Sequence, residues 1–276
     1  MPISPCGPGC LGVQEPTVGR LLRGVRLAAL VLVVVGGLFS LLFLPLIGWR
    51  GRSWVTKAIF RSVLFAVGVT LDVRGAIPGL GRGALVVNNH TSWLDIVAIN
   101  AVRPMRAVAK KDIASWPVLG WLVSAARSVY VDRENIRSLP GTVAALAEAL
   151  RGGAMVNVTP EGTTWCGLTH GRFRPALFQA AIDGGVPVLP VALRFRLRDG
   201  AATTGAAFIG DETIVDSVRR TAALRGLVLE VHVLDEVAPG RAADRRELAL
   251  LAERAVDDVL MPADKHWTSS AVEVAP

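Results

Sequence analysis

The sequence Ala84-Leu85-Val86-Val87-Asn88-Asn89-His90-Thr91-Ser92-Trp93-Leu94-Asp95 marks a change from a strand to a helix. Its first four residues form an apolar run that predicts a buried strand, and the apolar residues from Ile96 to Val102 predict a helix. His90 is then expected in the loop after the strand, and Asp95 in the first turn of the helix. A carboxylate at this spacing can fold back and hold the imidazole in one tautomer, as a general base requires.

The same stretch has a purely structural interpretation. Ser92 and Asp95 have the spacing of a helix N-cap residue and an acidic residue in the first turn, which stabilises a helix start without any chemistry. Taken alone, the stretch favours this capping interpretation. The rest of the chain decides between the two.

Composition points to a membrane surface. The chain has 276 residues, of which 51% are hydrophobic, and carries a formal net charge of +7. A basic and apolar chain of this length predicts one large domain that contacts an anionic membrane. Aromatic residues make up only 6% of the sequence and do not alternate with arginines, so we expect no nucleic-acid partner.

The three cysteines are Cys6, Cys10 and Cys166. Three cysteines in a chain this long do not form a disulfide framework, so we expect a catalytic domain that faces a reducing cytoplasm. Cys6 and Cys10 flank Gly-Pro-Gly with no second pair of ligands nearby in sequence. This spacing predicts no metal site.

The N-terminal region predicts a membrane anchor. No charged residue occurs between Leu27 and Ile47, and a helix over this run is roughly 30 Å long, about the thickness of a bilayer core. Gly36-Gly37 and Pro45 can bend the run, so a re-entrant helix stays open. Arginines flank the run on both sides and leave its orientation undetermined. The following stretch, Ser53 to Val69, predicts a second helix that lies on the membrane or packs against the first.

After Gly75, short apolar runs alternate with helical patterns, which indicates an α/β domain. The predicted strands are Ala84–Val87, Ala107–Ala109, Ser128–Val131, Met155–Val158, Val188–Leu193 and Leu227–Leu234. The predicted helices are Ser92–Val102, Trp116–Ala126, Gly141–Arg151, Pro175–Asp183 and Asp244–Leu260. We therefore divide the chain into a disordered lead (1–19), a membrane-associated helical segment (20–72), a catalytic domain (73–262) and a loose tail (263–276).

Three further stretches carry candidate chemistry. Glu161, in Pro160-Glu161-Gly162-Thr163-Thr164, is expected at the end of a strand, where ligands gather in α/β domains. Arg133, at the end of Tyr130-Val131-Asp132-Arg133, can grip a phosphate or carboxylate. The prolines of Val186-Pro187-Val188-Leu189-Pro190-Val191 are expected to keep it out of ordinary central-strand pairing, so that it walls a site. Taken alone, the first of these stretches is better explained as an ordinary Pro-Glu-Gly turn and the second as a solvated surface arginine.

Together, in this order, the four stretches resemble the PlsC-type lysophospholipid acyltransferases, the glycerolipid enzymes with an Asn-His-x4-Asp motif. The resemblance covers roughly Val73 to Leu234 and implies a mixed sheet flanked by helices, preceded by membrane-associated helices. It implies that His90 is the general base and that Asp95 orients it. The acceptor-binding residues that it implies are Arg133, Glu161, Gly162, Thr163 and, for the acceptor phosphate, Lys110.

The resemblance also implies the substrates. The donor is acyl-CoA or acyl-carrier protein, no metal or other cofactor is needed, and a 1-acyl-glycerol-3-phosphate acceptor gives phosphatidic acid at the cell inner membrane. Thr159 and Thr164 depart from the family pattern, which has phenylalanine before Pro-Glu-Gly-Thr and arginine or serine after it. This departure leaves another acceptor open, such as lyso-ornithine lipid.

Two other classes of function stay open at this stage. A hydrolase of lipid esters or acyl thioesters needs an activated serine, and no Gly-x-Ser-x-Gly sequence occurs. An inactive membrane scaffold has no need of His90, Asp95 and Glu161, which are all present.

Overall fold

The computed structural model describes residues 4–11, 15–41, 43–79, 81–115, 128–131 and 135–261. In this part of the chain, seven strands form one sheet in the order β1-β7-β6-β2-β5-β3-β4. They are β1 (Thr70–Arg74), β2 (Ala84–Asn88), β3 (Arg106–Lys110), β4 (Val129–Val131), β5 (Met155–Val158), β6 (Val188–Leu197) and β7 (Leu227–Val233). Only β6 and β7 pair antiparallel. The expectation of a mixed α/β sheet is confirmed.

Helices cover both faces of the sheet. They are α1 (Arg20–Leu41), α2 (Trp49–Ala66), α3 (Leu94–Val102), α4 (Leu139–Arg151), α5 (Gln179–Gly184), α6 (Ile214–Ala223) and α7 (Arg245–Leu260). Two of them begin with capping side chains, because Thr213 accepts from the Asp216 amide and Asp244 from the Arg246 and Glu247 amides.

The sheet separates two hydrophobic cores. On one face, Val86, Val191 and Leu229 pack with residues of α2 and α3. On the other face, Val87 and Val158 pack with residues of α4, α5 and α7. The central strands read as continuous apolar runs because both of their faces are buried.

The prediction that prolines exclude the 186–191 segment from central pairing is wrong. Pro190 lies in β6, in the middle of the sheet, and pairs with Val87 of β2. Its carbonyl accepts from the Leu234 amide, and the regular ladder with β7 begins only at Val191. Pro190 has no backbone N–H to donate. It lies just outside the regular β6–β7 ladder, so the sheet needs no donor at this position.

Several element boundaries differ from the predictions. β1 and α6 were not predicted, and the predicted helix Pro175–Asp183 divides into a 3-10 turn, Pro175–Phe178, and α5. The predicted helix Trp116–Ala126 lies outside the described residues. The predicted helix Ser53–Val69 ends at Ala66, and the first strand begins at Thr70.

The charge-free run predicted as one anchor, Leu27–Ile47, is not a single helix. Helix α1 begins earlier, at Arg20, and ends at Leu41, and a 3-10 turn over Leu44–Leu46 then leads into α2. Gly37 lets the two helices approach closely, since a Cβ there would lie 3.3 Å from Cγ2 of Ile59. The break at this turn folds α1 and α2 into a hairpin.

Helix α1 leaves most of its apolar side chains exposed. Among the described residues, Arg20–Ser40 is the one helix long and apolar enough to cross a membrane. Its first turns are nevertheless fastened to the domain, because the Arg26 guanidinium donates to the carbonyls of Ala222 (3.0 Å) and Leu224 (2.7 Å). Exposed apolar side chains occur along both halves of α1: Leu21, Leu22 and Val25, and then Val31, Leu32, Val34, Val35 and Phe39.

Candidate active site

Asp95 holds the loop between β2 and α3 around His90. Its Oδ2 lies 2.8 Å from Nδ1 of His90 and accepts from the amides of Thr91 (2.7 Å) and Ser92 (2.9 Å). The Asp95 side chain is 1% exposed, whereas the His90 ring is 26% exposed. A carboxylate partner fixes the proton on Nδ1 and leaves Nε2 as the basic nitrogen.

The capping interpretation is only partly right. Asp95 does bind the amides that precede the helix, but Trp93 takes the N-cap position and makes no side-chain cap bond. The Ser92 hydroxyl accepts a long hydrogen bond, 3.4 Å, from the Leu94 amide. One carboxylate thus stabilises the helix start and orients the histidine at the same time.

Glu161 supports the same loop from the neighbouring strand end. It follows β5, which pairs with β2, and its Oε2 accepts from the His90 amide at 2.5 Å. Its Oε1 accepts from the Gly171 amide at 2.9 Å. Burial outweighs these two bonds and raises the pKa of Glu161 to about 8.

Three asparagines anchor this edge of the sheet. The Asn89 amide group donates to the Leu193 carbonyl (2.9 Å), and its oxygen accepts from the Leu193 N–H (2.8 Å). Asn157 donates to the side-chain oxygen of Asn88 at 2.7 Å. The residues before His90 are therefore fixed to β5 and β6, which makes the position of the histidine well defined.

The loop that follows Glu161 forms one wall of a pocket at His90. Gly162 has φ of 78° and its N–H donates to the Thr159 carbonyl at 3.2 Å, so the predicted tight turn is present. The backbone N–H of Trp165 donates to the His90 carbonyl at 2.8 Å and holds the loop against the histidine. The pocket is lined by Asn89, His90, Thr91, Glu161, Trp165, Gly167, Leu168, Thr169, His170, Leu260 and Met261.

The structure brings together three of the predicted site residues, His90, Asp95 and Glu161. Within the described part of the chain, Gly162 and Thr163 are half-buried and stand beside the pocket rather than in its wall. Lys110 is the last residue of β3, at the same sheet edge. Arg133 lies outside the described residues, so its role stays a prediction.

Sequence reasoning missed one side of the pocket. His170 lies in the wall, and its Nε2 is 3.2 Å from Oδ1 of Asp257 on α7. Leu260 and Met261, at the end of the same helix, complete that wall. The predicted helix Asp244–Leu260 was interpreted as packing only, and no local pattern in the sequence shows that its C-terminus reaches His90.

The similarity of the chain to known proteins agrees with this arrangement. A family profile described as Acyltransferase matches residues 71–194. A 1-acyl-sn-glycerol-3-phosphate acyltransferase from Neisseria gonorrhoeae is 33% identical over 211 residues, which cover 76% of this chain and 82% of that protein. A lyso-ornithine lipid O-acyltransferase from Pseudomonas aeruginosa is 38% identical over 206 residues, which cover 74% and 78%.

A solved structure shows the same fold. The crystal structure of the 1-acyl-sn-glycerophosphate acyltransferase PlsC from Thermotoga maritima matches with a TM-score of 0.69 and 22% identity. The match covers 90% of this chain and 97% of the other. Given this fold and relatives that it matches over more than three quarters of their length, the chain belongs to the PlsC-type acyltransferase family.

Proposed function

We propose that the protein transfers an acyl group from an acyl thioester, acyl-CoA or acyl-carrier protein, to the free hydroxyl of 1-acyl-glycerol-3-phosphate, which gives phosphatidic acid. The observation that carries the proposal is the His90–Asp95 pair at 2.8 Å, in which His90 lines a pocket beside the buried Glu161. The relatives named as 1-acyl-sn-glycerol-3-phosphate acyltransferases support this acceptor.

The proposed reaction needs one proton carrier. Nε2 of His90 takes the proton of the acceptor hydroxyl as its oxygen attacks the thioester carbonyl carbon. Asp95 stabilises the imidazolium through Nδ1. The new C–O bond forms, the C–S bond breaks, and the imidazolium returns its proton to the leaving thiolate, so no acyl-enzyme forms.

Glu161 acts in this scheme through the backbone. Its two oxygens join the His90 amide to the Gly171 amide and so fix the His90 loop relative to the Trp165 loop. Gly162, Thr163, Lys110 and Arg133 are proposed to place the acceptor head group. No metal or other cofactor takes part in the proposed transfer.

A second acceptor is supported by a separate observation. Thr164 follows Glu161-Gly162-Thr163 where the family pattern has arginine or serine, which removes one candidate phosphate contact. The Pseudomonas aeruginosa relative, at 38% identity, is named as a lyso-ornithine lipid acyltransferase. Lyso-ornithine lipid is therefore the second candidate acceptor.

The helical hairpin is proposed to enter the membrane without crossing it. The charge-free part of α1, residues 27–41, is about 22 Å long, whereas a bilayer core is about 30 Å thick. Arg26 holds the other end of α1 to the domain, and α2 returns to pack against α3. The catalytic domain then lies on the cytoplasmic face of the inner membrane, where acyl-CoA and acyl-carrier protein are available.

A thiol-release assay tests the acceptor. Membranes containing the protein receive oleoyl-CoA with lysophosphatidic acid or lyso-ornithine lipid in separate reactions. We expect release that depends on lysophosphatidic acid. Release only with lyso-ornithine lipid would assign the second acceptor, release without any acceptor would indicate a thioesterase, and no release with any pair would favour a scaffold.

The Arg133→Ala variant tests, in the same assay, the proposed contact between Arg133 and the acceptor phosphate. We expect a raised KM for lysophosphatidic acid with little change in kcat, because a lost phosphate contact weakens binding more than chemistry. An unchanged KM would remove Arg133 from the site.

A further inference from the structure

All three cysteines of the chain meet in one cluster. Cys6 and Cys10 come from the N-terminal lead and Cys166 from the loop after Glu161, and their sulfur atoms all lie within 4.8 Å of one another. Cys6 and Cys166 are buried, at 7% and 3% exposure. The sequence spacing predicts against a metal site because it shows only the first pair, whereas the fold supplies the third sulfur.

The backbone around the cluster holds the three sulfur atoms close together. A 3-10 turn over Pro8–Cys10 brings Cys10 back toward Cys6, with the Cys10 N–H donating to the Gly7 carbonyl at 2.9 Å. The Cys166 N–H donates to Sγ of Cys6 at 3.3 Å. Sγ of Cys166 accepts from the amides of Leu168 and Thr169. Backbone amides therefore hold both of the buried sulfur atoms in place.

Apolar side chains cover part of the cluster. Ala207 and Ile209 are buried against Cys6 and Cys166, and Leu11 and Trp165 pack on the same group. The hydroxyl of Thr169 lies 3.9 Å from Sγ of Cys6 and 3.8 Å from Sγ of Cys166. The three thiols and this hydroxyl are four possible ligand groups, as many as a tetrahedral metal ion takes.

We propose that Cys6, Cys10 and Cys166 bind one zinc ion that fastens the N-terminal lead to the wall of the active-site pocket. Zinc–sulfur bonds are about 2.3 Å, so tetrahedral ligand sulfurs lie about 3.8 Å apart, within about 1 Å of the arrangement here. A disulfide would use only two of the three thiols and needs an oxidising compartment. Soft thiolates select zinc over magnesium or calcium.

The site has a direct connection to the catalytic loop. Cys166 stands between Trp165, whose N–H binds the His90 carbonyl, and Gly167, which lines the pocket. Zinc would therefore restrict the loop that faces His90, while taking no part in the acyl transfer. The zinc ion would join the N-terminal lead, at Cys6, to the pocket loop, at Cys166.

The first test measures metal on the wild-type chain. The full-length protein is purified in detergent, without a polyhistidine tag and in a reducing buffer, dialysed against metal-free buffer, and analysed by mass spectrometry of the elements. We expect about one zinc per chain. After exchange with Co²⁺, we expect a sulfur-to-cobalt charge-transfer band, which can arise only at this cluster because the chain has no other cysteine.

Variants locate the site. Cys10→Ser and Cys166→Ser should each lower zinc affinity by at least about a hundredfold, more than the loss of an outer partner of a ligand costs. Ser4→Ala removes a hydroxyl that hydrogen-bonds Cys6 but no sulfur, so as the control it should lower zinc affinity less than either cysteine variant does. Thermal unfolding of each variant reports whether it folds.

The wild-type measurements decide the question even if a cysteine variant fails to fold. Three freely titrating thiols with neither bound zinc nor a cobalt charge-transfer band would overturn the proposal. A Cys6–Cys166 disulfide in protein kept reduced would overturn it as well, and so would undiminished zinc binding by the Cys166→Ser variant. Acyl transfer activity is not part of these readouts, so the outcome is independent of the proposed acceptor.

Discussion

At the residue scale, Asp95 combines two tasks that the sequence presents as alternatives. One oxygen binds the His90 ring and two backbone amides, while the other oxygen has no hydrogen-bond partner among the described residues. Helix capping and histidine orientation therefore use the same atom. A change at Asp95 should affect the tautomer of His90 more than the fold.

The Asp95→Asn variant tests this division. An asparagine oxygen can still accept from the Thr91 and Ser92 amides, but it neither holds a charge against the imidazolium nor enforces the Nδ1 proton. We expect kcat to fall at least about a hundredfold, with a small change in Tm. A kcat close to that of the wild type in the thiol-release assay would show that the pair is structural only.

Glu161 predicts a distinct pH dependence of stability. Its pKa is raised from 4.5 to about 8 by burial, so between these values the folded state retains a proton that the unfolded state releases. Stability should then fall as pH rises from about 4.5 to about 8, by up to about 1.4 kcal/mol for each pH unit. Below this window the group has no effect on the slope.

The Glu161→Gln variant removes that titration. We expect the Tm of the variant to depend less steeply on pH than the Tm of the wild type when both are measured by calorimetry from pH 5 to pH 8. Parallel Tm profiles for the two proteins would mean that Glu161 is ionised throughout in the folded protein.

At the scale of elements, sequence patterns predicted six of the seven described strands and missed the edge strand β1 and helix α6. The predicted bounds of β5 match the observed ones. Its sequence, Met-Val-Asn-Val, is mostly apolar, as expected for a strand that is buried along its whole length. Strand β1 was missed, since it lies at the edge and mixes Asp72 and Arg74 with apolar residues. Helix α6 was missed because it is short and its exposed face carries Ile214 and Val215.

The candidate site was predictable where a local sequence pattern marks its residues. His90 and Asp95 share one loop, and Glu161 was identified from its place after a strand. The His170–Asp257 contact and the Cys6–Cys166 contact depend on how distant segments meet. No periodicity in a single sequence specifies such long-range pairs.

The loop from Glu161 to Gly171 gives a test at this scale. A Cβ at Gly171 would lie 2.5 Å from Nε1 of Trp165, so Gly171→Ala must displace the indole in the pocket wall. We expect transfer activity to fall at least about tenfold, because small displacements of positioning groups are costly. Gly141→Ala on α4, where a Cβ meets nothing within 4 Å, is the matched control and should keep full activity. Equal activities of the two variants would contradict a role for this wall.

At the scale of the whole molecule, the sheet separates two layers of helices. Helices α1 and α2 lie on one face, and α7, whose C-terminus reaches the pocket, lies on the other. Exposed Val35 and Phe39 lie toward the C-terminal end of α1, away from the Arg26 contact. A protein built in this way should bind a bilayer through the end of its hairpin.

A charged residue near the C-terminal end of α1 should release the protein from membranes. Phe39 is 61% exposed, and burying an aspartate in the bilayer core costs about 3 kcal/mol, roughly a hundredfold in partitioning. We expect Phe39→Asp to shift the protein from the pellet to the supernatant in co-sedimentation with anionic vesicles. The control is Leu250→Asp on α7, an exposed site 43% accessible on the opposite face, which should still pellet. Equal pelleting of both variants would place the membrane contact elsewhere.

The central claim is that His90, oriented by Asp95, is the base of an acyl transfer. The most direct measurement is thiol release from oleoyl-CoA, with lysophosphatidic acid and with lyso-ornithine lipid, by the wild type and by His90→Ala. His232→Gln, at the histidine beside Glu230 and away from the pocket, is the control. We predict acceptor-dependent release that is lost in His90→Ala, retained in the control, and accompanied by an unchanged Tm for His90→Ala. Near-normal turnover by a folded His90→Ala variant would contradict the mechanism.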